Sequence, residues 1–110
     1  MKRSLFNAWL TALRSDKYKQ AYGRLETENG FCCLGVLCKV AGKQIYLGRT
    51  GLDDVECKEF GMDVSGANLR SHDSELSLVN LNDDKKLSFI EIANVLEKDP
   101  SSYIQNFDDE

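Results

Sequence analysis

Apolar positions along the chain repeat with helical spacing at its two ends and break up in its middle. Leu5, Phe6, Trp9, Leu10 and Leu13 fall at i, i+1, i+4, i+5 and i+8, one stripe on a helix of 3.6 residues per turn, and Ser4 is placed to cap it. The spacing predicts a helix over 4–14. In SDKYKQAYGR, Tyr18, Gln20 and Tyr22 alternate with Lys17, Lys19 and Ala21, the period of a strand. Asn29-Gly30 signals a turn, after which FCCLGVLCKVAGK is apolar almost all round and stops at Gly42, which predicts a buried helix over 31–41. KQIYLG reads as a short strand and LDDVECKEFG as a short helix ending at Gly61. The Ser-, Asn- and Asp-rich stretch that follows predicts loop, with a strand near Leu76 to Val79. Ser88 and Glu91 have capping-box spacing ahead of Phe89, Ile92, Ala93 and Leu96, so a helix is expected over 88–98, stopped by Asp99-Pro100.

These elements make an α+β domain: a small antiparallel sheet packed with three to four helices, the helix at 31–41 buried at the centre. At 110 residues and 42% hydrophobic, the chain can form one core, so residues 1–110 are expected to be a single domain with a mobile tail at 107–110. No apolar run approaches the roughly 18 residues that cross a bilayer. Asn7 and Trp9 interrupt the N-terminal apolar run and no small-residue cleavage site follows. The expected location is the cytoplasm, with no membrane partner.

That compartment changes the reading of the cysteines. Three of the four, Cys32, Cys33 and Cys38, lie within eight residues, and in a reducing setting their thiols should be free. On a helix they point in well-separated directions, and on a strand Cys32 and Cys38 would lie about 20 Å apart, so in neither case can they converge on one ion. No metal and no cofactor is expected. Small, soft core residues are the simpler reading. Gly35 agrees with it, because a glycine inside a helix costs roughly 1 kcal/mol against alanine unless something packs against its bare backbone. A nucleophilic thiol would need a base beside it, and the one histidine, His72, sits in a polar stretch far along the chain. The chain is expected not to be an enzyme, with a cysteine-nucleophile enzyme as a distant third function.

Other chemistry is fainter. Asn80, Asn82, Asp84, Lys86, Ser88 and Glu91 have the spacing of a calcium loop, but asparagine stands first and Lys85 stands where glycine must turn the chain. The net charge of −4 hides a polarity: residues 1–50 hold nine basic and three acidic side chains, residues 51–110 five and fifteen. Lys17, Lys19, Gln20 and Arg24, with tyrosines interleaved, are the candidate ligand-binding set for an anion such as a signalling nucleotide. Duplex DNA is disfavoured by the acidic second half, and the charges are too balanced for a DNA mimic.

The order of motifs resembles a family of small phage- and prophage-encoded proteins without assigned function. The resemblance is carried by Trp9-x-x-Ala12-Leu13-Arg14-Ser15, Tyr18-x-Gln20, Gly23-x-Leu25, the run FCCLGVLC from Phe31 to Cys38, Leu81-Asn82-Asp83 and Phe89-x-Glu91-Ile92-Ala93. It departs after Leu81-Asn82-Asp83, where the family pattern leads one to expect glycine and this chain has Asp84-Lys85-Lys86. The resemblance implies a bacteriophage accessory protein in the host cytoplasm, acting in host interaction or counter-defence. The expected function is therefore non-enzymatic binding, as an inhibitor, of a host bacterial protein such as a defence or replication factor; the alternative is a sponge for an anionic small molecule or nucleotide.

Overall fold

The apolar stripe of the first helix sets the layout. In the computed structural model, which describes residues 1–46, 48–62 and 77–108, α1 runs Arg3–Arg14 and buries Phe6, Trp9, Leu10 and Leu13. A two-residue hairpin follows, β1 Glu26–Thr27 and β2 Gly30–Phe31, with antiparallel pairs Glu26–Phe31 and Thr27–Gly30. Next come α2 (Cys33–Val40), α3 (Asp54–Phe60), a π-helical turn at Asn80–Asp84, α4 (Phe89–Lys98) and a 3-10 turn at Pro100–Ser102. The protein is α+β, with a two-stranded sheet, α2 buried in the core and α1 packed against both α2 and α4.

α2 occupies the centre because its sequence offers almost nothing to water: Cys33, Leu34, Gly35, Val36, Leu37 and Cys38 are all buried. Trp9 of α1 donates its indole N–H to the Cys33 carbonyl at 2.9 Å, which satisfies the one polar atom of a fully buried ring. α4 packs on α1, and Arg14 clips the two together by donating to Asn94 Oδ1 at 3.0 Å and Glu97 Oε2 at 3.1 Å. Gly35 allows the hairpin to close on α2: a Cβ built there would lie 1.9 Å from the Leu25 carbonyl oxygen.

α4 starts where its capping box predicts, and α3 starts on a second box that the sequence reading had not singled out. Asp53 accepts the Glu56 N–H while Glu56 returns to the Asp53 N–H, and Ser88 and Glu91 do the same for α4. α3 ends on Gly61 in the left-handed conformation, φ 71°. That glycine also gives room to the chain termini, for its Cβ would meet the Met1 nitrogen and the Asn106 carbonyl at 2.4 and 2.7 Å.

Several expectations need correction. α1 begins at Arg3 with Lys2 at its N-cap and no side-chain cap, so Ser4 is inside the helix; Lys2 is held instead by a parallel bridge to Asp108. Of the tail expected to be mobile at 107–110, residues 109–110 lie outside the described residues, while Phe107 stacks edge-on to Phe6 at 5.2 Å and Asp108 N–H donates to the Met1 carbonyl. The segment 17–22 is not a strand. It touches β2 through a single bridge, Gln20 to Phe31, because β2 has only two residues before α2 begins. KQIYLG forms no strand among the described residues. Of the strand expected near Leu76 to Val79, Leu76 lies outside the described residues and Leu78–Val79 are helical, leading into the π-helical turn.

Candidate functional site

The thiols come first, being the most reactive groups in the sequence. None of the four is in a disulfide and all are buried, at 3% exposure or less. Burial pushes the Cys32 thiol up to about 11, against the opposing pull of the Gly35 and Leu34 amides. Burial, then the nearby Glu56 carboxylate, pushes Cys38 up to about 12. Cys33 is raised well above the ordinary thiol value by burial, with Cys32 and Asp83 adding to it, and its Sγ donates to the Leu78 carbonyl at 3.7 Å. A thiolate is disfavoured at each of these three positions. No group of three or more His, Cys, Asp or Glu side chains could hold a metal among the described residues. His72 lies outside the described residues, as does any pairing of a thiol with it.

The calcium-loop reading fails on geometry. Asn80–Asp84 is a π-helical turn, not an open loop, and Asn82 is turned wholly inward at 0% exposure. Its Oδ1 accepts from Gln20 Nε2 at 2.9 Å and from the Cys33 N–H at 3.3 Å, while its Nδ2 donates to the Ala21 carbonyl at 2.9 Å and to Asp83 Oδ1 at 2.7 Å. Gln20 spends its second amide hydrogen on the Leu87 carbonyl at 2.7 Å. One amide thus joins the segment after α1, the start of α2 and the turn before α4. Just beyond it, Lys86 adopts a left-handed φ of 53° and lays its ammonium 4.1 Å over the Tyr22 ring. Glycine is the residue best suited to such a φ.

The four candidate ligand residues do not meet at one place. Gln20 serves the Asn82 junction. Lys19 is exposed and gives its carbonyl to the Phe31 N–H. Arg24 lines a cleft of about 620 Å³ beside the hairpin, where Glu26 and Glu28 share the lining with it, so the cleft carries both signs of charge. Lys17 lines a separate groove of about 560 Å³ between α1 and α2.

That groove has a different character. Its α1 side is made of Ala8, Thr11, Ala12 and Ser15, and its α2 side of Lys39 and Val40, with Lys17 and Tyr18 at the mouth. No carboxylate among the described residues lines it. The Lys17 ammonium lies 5.5 Å over the Tyr18 ring and that of Lys39 5.8 Å over Phe31, the two rings meeting edge-to-face at 5.5 Å. Neither lysine forms an ion pair among the described residues, whereas Arg14, Lys43 and Arg49 pair with Glu97, Glu59 and Glu56. Lys39 escaped the sequence reading because it sits inside a run read as core. The available signal was charge: it is the one ionisable side chain other than thiols between Phe31 and Gly42.

Arg49 and Glu56 form the best-shielded ion pair described. Arg49 reaches both Glu56 oxygens and the Gly51 carbonyl, and its own carbonyl accepts the Leu25 N–H at 2.8 Å, so the pair ties α3 to the hairpin arm. The Arg49 hydrogen bond, opposed by partial burial, holds the Glu56 carboxyl below its usual value. A folded-state value below the unfolded 4.5 means that this stabilisation is complete above pH 4.5 and is lost as pH falls through the lowered value. Glu56→Gln, which can keep the capping box, should cost about 1–2 kcal/mol at neutral pH. Urea titrations repeated below pH 4.5 should show the variant and the parent converging.

A family model described as a domain of unknown function (DUF8296) matches residues 1–48. The match spans α1, the hairpin and α2, and every lining residue of the α1–α2 groove falls within it. No curated protein and no solved structure matches the chain. No helix among the described residues is long and apolar enough to cross a membrane.

Proposed function

We propose that the protein is a non-enzymatic binding protein that acts by recognising another macromolecule. The observation that carries this reading is the sealing of the thiols: the groups best suited to covalent chemistry are used as packing, three of them shifted away from the reactive form. What faces solvent is recognition chemistry, including lysines held over rings and a groove that no carboxylate among the described residues lines. The resemblance carried by FCCLGVLC supplies the biological setting of the proposal, a phage accessory protein in the host cytoplasm that binds and inhibits a host protein in counter-defence or host takeover. A second reading, capture of an anionic small molecule such as a nucleotide, draws on the groove volume of about 560 Å³, which falls within the range of small-ligand sites.

Native mass spectrometry of the protein purified from expressing host cells tests the choice. The binding reading predicts one host protein at fixed stoichiometry, reproduced when the purified components are mixed. A retained nucleotide in its place would transfer the function to the second reading. A thiol that turns over a substrate would overturn both.

A further inference from the structure

We propose that the groove between α1 and α2 is the recognition surface, and that its occupant is an acidic polypeptide segment of the partner. The proposal rests on the binding reading above and adds to it a place and a chemistry. Lys17 and Lys39 stand on the mouth and the α2 side of the groove with no carboxylate lining it and no ion pair of their own among the described residues. Elsewhere the protein does neutralise cations: Arg14, Lys43 and Arg49 each meet a glutamate. An ammonium over a ring is held in place by a modest attraction and keeps hydrogen-bond donors for an incoming anion. Tyr18 and Phe31, packed edge-to-face, fix the positions of the rings beneath the two lysines.

The remaining lining favours a polypeptide. The α1 side presents Ala8, Thr11 and Ala12, whose short side chains let a backbone lie close, and Val40 adds apolar surface opposite. With 18 acidic against 14 basic residues overall, the chain keeps its excess positive charge in residues 1–50, the half that builds this groove. A complementary carboxylate-bearing segment would be steered to that half and repelled by the other.

The test uses the full chain, 15N-labelled, and a short acetylated and amidated peptide alternating glutamate with alanine. The peptide should shift the amides of Ala8, Thr11, Ala12, Lys39 and Val40, and the same peptide with lysine for glutamate should not. Lys17→Ala and Lys39→Ala should each weaken binding about fivefold, and the double charge reversal to glutamate should weaken it further, while Lys58→Ala on α3 changes nothing. Binding should fall as salt rises. Shifts confined to other residues, or none at millimolar peptide, overturn the proposal. ATP or inorganic phosphate shifting the groove amides more strongly than the peptide overturns it too, by assigning the groove to a small anion. A host protein that stays bound to the double reversal variant would sink the groove while leaving the binding reading intact.

Discussion

Gly35→Ala is expected to destabilise the fold by about 3 kcal/mol, although alanine is the better helix former. In an open helix interior the same change gains about 1 kcal/mol, so the sign itself is the prediction. The new methyl would sit 1.9 Å from the Leu25 carbonyl oxygen, a backbone atom that cannot swing aside like a side chain. That carbonyl accepts the Cys32 N–H at 3.2 Å, and the Leu25 N–H donates to Arg49. Relieving the clash therefore moves α2 away from the hairpin arm and loosens the link to α3. Overpacking of this kind costs 1–3 kcal/mol or more. A urea midpoint equal to or above that of the parent would mean that α2 does not lie against Leu25.

Asn82→Ala is expected to cost about as much, roughly 3 kcal/mol, by a different route. It removes the acceptor of the Cys33 N–H, one of the two acceptors of Gln20, and the donor to the Ala21 carbonyl, all in a site with no solvent exposure at Asn82. Asn82→Asp keeps the shape and the acceptor but turns the donor into a charge beside Asp83, so it should be no milder. Gln20→Leu should be milder, because Asn82 keeps its bond to Cys33. If Asn82→Ala unfolds within about 0.5 kcal/mol of the parent, the junction between the segment after α1 and the π-helical turn does not exist as described.

Both sites show what a linear reading can and cannot recover. The helices were legible because each carries its own code: the stripe from Leu5 to Leu13, the capping box at Ser88, the stop at Gly61, and the unbroken apolar surface from Phe31 to Cys38. Gly35 was legible as a close-approach glycine, though its neighbour, ten residues upstream, was not. The strands misled because the alternation at 17–22 signals residues suited to a sheet, and the fold supplies only two residues of β2 as partner. Asn82 read as a loop residue or a metal ligand; its inward turn depends on Gln20, Ala21 and Cys33, which are distant in sequence. The candidate ligand set scattered for the same reason. Lys17, Lys19, Gln20 and Arg24 are neighbours in sequence, but the chain bends between them, so Gln20 faces inward and Lys17 and Arg24 line different clefts. The partner of Lys17 across the groove is Lys39, concealed in a segment whose composition reads as core.

The claim that organises all of this is that the sulfur-rich helix is packed interior. Its most direct test is the rate at which iodoacetamide labels Cys32, Cys33, Cys38 and Cys57 in the folded protein, followed residue by residue by mass spectrometry. Buried thiols should label no faster than the protein opens, and Gly35→Ala should accelerate labelling at Cys32, Cys33 and Cys38 together. One thiol that reacts at the rate of a free cysteine while the others stay protected would contradict the account and return that residue to consideration as a nucleophile.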